Sequence, residues 1–482
     1  MIFKSIKDVI SYLNGTYDST KVPNELKDKD LRIEREKTLL RMLGNPQNDL
    51  KIIHVAGSKG KGTTSGHIAM LLKDNKRTTG VYLSPHVYDY RERWMYSHFN
   101  DYGLMMFNEY EYTDAAKIME MYLHNHKEII LPGGIPPTTF ELYTAYAMLL
   151  FRIQKAEYAV VETGIGGRLD ATNALDPIVS VITHIEKEHT DILGKDLRSI
   201  AYEKAGIIKE GVPTFALHSG DEVDSVLREV AREKHSPLTF VDTNTDEEIY
   251  LKMRGKSARA NFILAREVVK SLNLPKKHYP MSERKLENYY NGLLTLPARG
   301  EVIIERNSVL LLDGAHTKDS VDELVSNIKD IILNVDLDDL RDKYAIHFDY
   351  GDIESFNREC VRILRSSLKT ERSVIFALTG DKDAEGMLET LVMNFDTIVL
   401  TKVQSPYKKS DEVKLLLSLE KILNRTPNRR VKNVFIAPSL DAALAKVESH
   451  NIENDGDDTT SHLTVITGSF YLCGEYAPEA ND

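Results

Sequence analysis

The sequence predicts an α/β fold in two domains, the first with a mostly parallel sheet, the second smaller and Rossmann-like. Three observations carry that expectation. The chain has 482 residues, more than one hydrophobic core usually organises. Apolar runs of strand length alternate with helical patterns in both halves, as in sheets covered by helices. One such run, Ile52-Ile53-His54-Val55, leads through the glycine-rich turn Gly57-Ser58-Lys59-Gly60-Lys61-Gly62-Thr63-Thr64 toward a helix.

The elements follow in chain order. Residues 52–55 read as a buried strand, and Thr64 to Asp74 as a helix, because Ile68, Ala69, Leu71 and Leu72 recur at helical spacing. Thr139 to Arg152 reads as a second helix, and Tyr158 to Glu162 and Ile178 to Thr183 as buried parallel strands. In the second half, Val309 to Asp313, Ser373 to Leu378 and Leu463 to Thr467 read as strands. Ser320 to Leu333 and Ser439 to Val447 read as helices between them. The run Leu296-Pro297-Ala298-Arg299-Gly300 interrupts the pattern, which sets domains of 1–295 and 296–482. Asp336 to Tyr350 is acidic and reads as a surface loop or short helix, Ile452 to Ser461 as a solvated loop, and Ala477 to Asp482 as a frayed tail.

Composition narrows the partners. A formal net charge of -11 argues against general binding to nucleic acid or anionic membranes. Two cysteines, Cys360 and Cys473, are too few for a disulfide framework and read as inert buried thiols. The first residues, Met1 to Lys7, carry no long apolar segment, and no stretch approaches membrane-spanning length, which points to the cytoplasm.

The glycine-rich turn has the parts of a phosphate cradle. Glycines let backbone N–H groups turn inward, the following helix start offers unpaired donors, and Lys61 adds a full charge. It differs from a standard P-loop, since Gly57 lies three positions before Gly60 and Gly62 follows Lys61. A plain glycine-rich turn is the competing reading. Glu162 closes a strand, and a carboxylate at the carboxyl edge of the sheet beside a phosphate cradle suits Mg²⁺, although strand-ending glutamates also face solvent. His184 and His189 with Glu186 and Glu188 follow the next strand and suit a metal or an exposed polar loop. Lys204 in Glu203-Lys204-Ala205-Gly206-Ile207 reads by itself as a helix-surface lysine.

Taken together, these segments resemble the folylpolyglutamate synthase/dihydrofolate synthase family of Mur-type ligases. The family's motifs occur here in order: the cradle, Ser84-Pro85-His86, Gly166-Gly167-Arg168-Leu169-Asp170-Ala171-Thr172-Asn173, Glu188-His189-Thr190 before Leu193-Gly194, Glu203 to Ile207, and Asp313-Gly314-Ala315-His316. The resemblance is dense from Leu31 to Pro213 and patchier beyond. It implies a P-loop-type ATPase domain and a C-terminal glutamate-ligase domain. It implies that Gly57, Ser58, Lys59, Gly60, Lys61, Gly62, Thr63 and Thr64 hold the ATP phosphates, with Asn261 and Arg299 on the nucleotide. It implies Ser84 and Glu162 on one Mg²⁺, and His189 with a carbamylated Lys204 on a second metal or the transferring phosphoryl group. Lys61, His189, Lys204, Asp313 and His316 would carry catalysis, with K⁺ as a further cation.

The activity implied is ATP-dependent joining of L-glutamate to a pteroate or folate carboxylate through an acyl phosphate, by a monomer whose domains close over the site. Thr138 to Ala145 would lie on the pterin side, although Phe140, Leu142 and Ala145 suit core packing equally and only Glu141 needs a task. Arg91 and Arg93 could meet anionic substrate or be ordinary loop arginines. Several positions depart from the family pattern: Lys59 for asparagine, Glu188 for aspartate, Thr163 for valine or leucine, no His-Gln pair before Asn261, and Tyr407 after Pro406. Gly166 to Asn173 resembles the bacterial, often bifunctional form, whereas Lys59 resembles the dedicated tail-extending form. Two other readings stand beside this one: a ligase for cell-wall precursors, and a non-catalytic nucleotide-binding protein.

Overall fold

The computed structural model describes residues 3–14, 29–99, 103–244, 255–274, 296–305, 308–333, 335, 337, 340, 353–379, 382–404, 412–455 and 460–476. They form two compact units, one holding residues 3–244 and 257–274, the other residues 255–256 and the described residues from 296 onward. Tyr407, most of Asp336 to Tyr350 and the tail from Ala477 lie outside the described residues.

The first unit is built on an eight-stranded sheet. Its strands are β1 (Lys51–Ala56), β2 (Thr79–Tyr82), β3 (Trp94–Ser97), β4 (Met105–Met106), β5 (Tyr158–Glu162), β6 (Val179–Ile182), β7 (Thr214–Ala216) and β8 (Leu238–Phe240). The spatial order is β4-β3-β2-β5-β1-β6-β7-β8. All neighbours are parallel except β2 with β3 and β3 with β4. β1 and β5 are apolar on both faces and almost wholly buried, as a strand covered by helices on either side must be. The three strands expected from sequence are β1, β5 and β6. The other five have two to four residues, too short to show a period.

Helix Lys61–Asp74 starts three residues before the expected Thr64, because Gly60 takes the left-handed conformation that ends the turn (φ 82°). Thr64 to Leu72 are buried in an unbroken run, so the apolar spacing read from sequence marks only part of a helix packed on nearly every face.

Helix Thr139–Ile153 begins with a capping box. Thr138 Oγ1 accepts from Glu141 N, and Glu141 Oε2 accepts from Thr138 N at 2.7 Å. Glu141 has a second task. The fully buried Arg35, on helix Lys29–Met42, donates to Glu141 Oε1 at 2.7 Å and Oε2 at 2.9 Å. The same guanidinium donates to the carbonyls of Pro132, Ile135 and Pro136. One arginine thus ties the segment before the helix to the helix itself. Nearby lies Trp94, the chain's single tryptophan, fully buried with edge contacts to Tyr143 and Tyr146.

The second unit carries a six-stranded sheet of β9 (Arg299–Glu305), β10 (Ser308–Asp313), β11 (Arg372–Phe376), β12 (Thr397–Leu400), β13 (Asn433–Ile436) and β14 (His462–Thr467). The order is β13-β12-β11-β14-β10-β9, parallel except for the edge pair β9–β10. The helices expected here run Lys318–Leu333 and Leu440–Asp455. The second corrects the loop expected from Ile452: residues 452–455 stay helical, with Ile452 exposed, and Ser461 is buried rather than solvated. An exposed helical turn tolerates the polar residues that suggested a loop. Both cysteines are buried and unpaired, and burial pushes the Cys360 thiol up to about 11.

Replacing Arg35 by Met would leave a buried carboxylate and three carbonyls without their donor. The expected cost is about 3–5 kcal/mol to the first unit, read as a lower urea midpoint in Trp94 fluorescence.

Candidate active site

β5, β1 and β6 are adjacent and parallel, with Val55 level with Glu162 and Ala56 level with Ile182. The segments leaving these strands therefore emerge side by side at the carboxyl edge of the sheet, where open α/β sheets bind ligands. The middle segment is the cradle. A side chain on Gly57 (φ 147°) would place Cβ 1.9 Å from Thr183 Oγ1, and one on Gly60 would place it 2.3 Å from Asn261 Oδ1. Glycine is required at both by approach as well as conformation. Asn261, on helix Lys256–Ser271, is itself buried against the turn.

The cradle is fastened to the segment after β6. Ser58 N and Lys59 N both donate to the His184 carbonyl, at 2.8 and 3.2 Å. Ser58 Oγ donates to the Glu186 carbonyl and accepts from Glu186 N, both at 3.1 Å. Lys59 Nζ pairs with the Glu186 carboxylate at 2.8 Å. Thus the lysine that departs from the common asparagine has a local partner. Lys204 corrects the helix-surface reading: it is 1% exposed, on helix Leu197–Ala205, and donates to Gly57 O at 2.8 Å and Glu188 Oε1 at 2.6 Å.

On the other side, Glu162 is 2% exposed rather than solvated. Its Oε2 accepts from Ser84 N at 3.1 Å, and its Oε1 lies 4.0 Å from Lys61 Nζ. Lys61 Nζ also donates to Ser58 O. Ser84 arrives here because β2 is the other neighbour of β5, with Tyr82 level with Val161. His189 follows Glu188 and heads the short helix Thr190–Leu193 with a left-handed backbone (φ 45°). Thr63 is half-buried at the helix start, and Thr64 is fully buried with a hydroxyl that has no hydrogen-bond partner.

The electrostatics follow from this crowding. Burial pushes the Lys204 amine below its ordinary range, against the pull of Glu188. Burial also opposes ionisation of Glu188, but Lys204, Lys61 and His189 outweigh it and hold its carboxyl down to about 2.

The remaining candidates lie in the second unit. Asp313 ends β10 and accepts from Gly300 N at 2.8 Å and Ala315 N at 2.9 Å; burial pushes its carboxyl up to about 6. His316 Nδ1 donates to Gly314 O, its ring edge-on to Phe470, and Arg299 stacks over the same Phe470 ring. These three residues form their own cluster.

Asp170 is a residue whose task the sequence reading missed. Its Oδ2 accepts from Gly164 N and Ile165 N, and its Oδ1 from Thr172 N and Thr172 Oγ1. It thereby shapes the loop that follows Glu162. The Asp-x-Thr spacing was the available signal, since an aspartate often binds the backbone two residues on. Arg91 pairs with Asp89, and Arg93 donates to His86 Nδ1 at 2.8 Å.

The donor set fits the groups the motifs imply. The first N–H groups of helix Lys61–Asp74 have no intrahelical acceptor, and Gly60 offers no side-chain cap, which leaves an anion site beside Lys61. The Ser84 hydroxyl and Glu162 carboxylate are hard oxygen donors suited to Mg²⁺. Among the described residues no group of three or more His, Cys, Asp or Glu side chains is arranged to hold a metal. Among the described residues, too, no helix is long and apolar enough to cross a membrane.

Residues 55–278 match the Mur ligase middle domain. The dihydrofolate synthase/folylpolyglutamate synthase of Bacillus subtilis is 30% identical over 358 residues, 69% of this chain and 78% of that protein. The chain belongs to this family of ATP-dependent ligases. A second member, the dihydrofolate synthetase of Saccharomyces cerevisiae, is 24% identical across 92% of this chain and 97% of its own length. The fold matches Mycobacterium tuberculosis folylpolyglutamate synthase, solved with ADP and AMPPCP, with a TM-score of 0.70 at 24% identity, over 92% of this chain and 93% of that one. As a family member, the chain keeps the two-sheet α/β architecture expected from its sequence.

With its amine unmodified, Lys204 pairs with Glu188, and this pair sets a pH signature. The Glu188 carboxyl is held below its ordinary 4.5, so its stabilisation is complete above that value and is lost as pH falls toward about 2. Glu188→Gln should therefore be less stable than the wild type at pH 7 by about 2–3 kcal/mol, a gap that closes between pH 4.5 and 2 in urea titrations.

Proposed function

We propose that this chain uses ATP to activate the carboxylate of a pteroate or folate and joins L-glutamate to it as an amide. The observation that carries the reading is the convergence of the cradle, Lys61, Ser84, Glu162 and Lys204 at one sheet edge of a chain in this ligase family.

An oxygen of the acceptor carboxylate attacks the γ-phosphorus of ATP, the bond to the bridging oxygen breaks, and ADP leaves. Negative charge spreads over the transferring group, so fixed positive ends are what the site must supply. Lys61 and the N–H groups at the helix start hold those oxygens. Mg²⁺ held by Ser84 and Glu162 would shield the same charge. The glutamate amine then attacks the acyl carbon, phosphate leaves, and the nitrogen gives up its proton.

Carbamylation of Lys204 belongs to this proposal. Carbon dioxide adds to an unprotonated amine and one proton is released, and burial of Lys204 favours the unprotonated form. The carbamate would bring oxygen ligands next to Glu188 and His189, where a second Mg²⁺ would balance the two anions. In the second unit, Asp313, His316 and Arg299 would serve the nucleotide and incoming amino acid, and K⁺ would act as a further cation.

The test is mass spectrometry of products formed with MgATP, KCl and L-glutamate, with dihydropteroate and tetrahydrofolate in separate tubes. One glutamate added to dihydropteroate alone identifies a dihydrofolate synthase, and growth of the tetrahydrofolate tail a polyglutamate synthase. Both products identify a bifunctional enzyme. No product with either, and ADP release with a UDP-sugar acceptor, would move the assignment to cell-wall precursors. Lys204→Ala should abolish ligation while leaving Trp94 fluorescence native; retained activity would remove the carbamate. Gly60→Ala, strained at φ 82° and overlapping Asn261, should weaken ATP binding roughly tenfold or more in nucleotide-dependent thermal shifts.

A further inference from the structure

His54 is the one polar side chain in the buried run of β1, fully buried and level with Val161 of β5 and Ser180 of β6. An imidazole in the middle of a central strand costs stability unless it is bonded, so its presence calls for an explanation.

Its bonds run in one direction. His54 Nε2 lies 2.8 Å from Thr172 Oγ1, and Thr172 Oγ1 lies 2.6 Å from Asp170 Oδ1. The backbone N–H groups of Gly164, Ile165 and Thr172 also point at the two Asp170 oxygens. The carboxylate is therefore the acceptor, and the hydroxyl gives it its only proton. The hydroxyl then has only lone pairs to offer His54, so the ring must donate through Nε2–H. Nδ1 is left bare, and it is the atom of this ring without a hydrogen-bond partner. Burial first, then Lys209, keeps the ring neutral by pushing its titration down to about 3.

The relay ends on the segments that carry two of the site's candidate residues. Asp170 Oδ2 holds the amides of Gly164 and Ile165, just beyond Glu162. The same loop is bonded to the end of the helix that carries Lys204: Arg168 N donates to Glu203 O at 2.7 Å, and Asn173 Nδ2 to Gly206 O at 3.1 Å. The fit there is close, since a Cβ on Gly206 would lie 2.2 Å from Arg168 Cβ. His54 itself stands shortly before Gly57, on the strand that leads into the cradle. One imidazole thus braces the cradle strand against the loop that joins Glu162 to the Lys204 helix.

We infer that His54 is a positioning residue for the phosphoryl-transfer centre: through Thr172 and Asp170 it fixes the loop that sets Glu162 and Lys204 relative to the cradle. This rests on the proposed ligase reading, with Mg²⁺ at Ser84 and Glu162, and goes beyond it by giving a task to a side chain outside the ligand set.

The experiment uses the full chain with His54→Gln, His54→Asn and Thr172→Val. A glutamine amide can place an N–H where Nε2 stands, whereas an asparagine amide reaches only the level of Nδ1. With the productive pterin acceptor, His54→Asn and Thr172→Val should each lower kcat roughly tenfold, the loss of one buried hydrogen bond. Each should also raise the Mg²⁺ concentration needed for half-maximal rate. KM for L-glutamate should stay unchanged, and the double variant should be no worse than either single one, because both cut the same relay. His54→Gln should recover most of the rate. Nitrogen NMR of the resting protein with isotope-labelled histidine, the His54 signal being the one lost in the variants, should show a ring protonated on Nε2 and bare on Nδ1 at neutral pH. A ring protonated on Nδ1, or equal losses in the Gln and Asn variants with an unchanged Mg²⁺ requirement, overturns the inference and leaves His54 as a packing residue. Should His54→Asn not fold, Thr172→Val must show the Mg²⁺ shift or the inference falls. Wild-type protein that ligates no pterin acceptor overturns the broader reading and the catalytic task with it. The NMR signal tells the two failures apart, since the Nε2–H ring would persist in that case.

Discussion

The parallel pairing of β1 between β5 and β6 is the constraint from which the site follows. It brings three chain segments out at one sheet edge, and β2 beyond β5 adds a fourth carrying Ser84. No two of these segments are close in sequence. Their contact depends on registers fixed by buried apolar side chains on both faces, where a slip would put polar residues in the core. The cradle is the middle of the array and is held from its β6 side by backbone and side-chain bonds together.

Charge inside the first unit is handled by pairing. Arg35 with Glu141, Lys204 with Glu188 and Lys59 with Glu186 each place a cation against a carboxylate with limited solvent access. Such pairs contribute little net stability relative to apolar residues, but removing one partner strands the other. Their geometry therefore fixes position more than it adds stability. Arg35 positions the start of a core helix, whereas Lys204 and Lys59 position the cradle and the loop beside it.

Much of this was legible in the chain. Long apolar runs gave the central strands β1, β5, β6, β10, β11 and β14, because a strand buried on both faces must be apolar throughout. The short outer strands were not legible, since three residues such as Thr214–Ala216 carry no period. The glycine-rich turn was visible as a cradle, but its fastening was not. The Ser58–Glu186 and Lys204–Gly57 bonds join residues 128 and 147 positions apart, and local patterns hold no trace of such distances. Burial was the other gap. Lys204 and Glu162 belong to residue types usually exposed, and only the tertiary packing shows them covered. The solvated loop expected from Ile452 failed for the opposite reason, as polarity marks exposure and not the absence of a helix.

The backbone at His189 carries a consequence for how the sequence can change over time. A left-handed φ of 45° is conformationally easiest for glycine and eased by asparagine, while other residues accept a strain of order 1 kcal/mol. Selection for folding alone would thus favour replacing this imidazole. Under the role proposed for His189, a lineage released from ligase chemistry should drift toward glycine or asparagine here, and its loss of histidine would date that release before the core showed any sign of it.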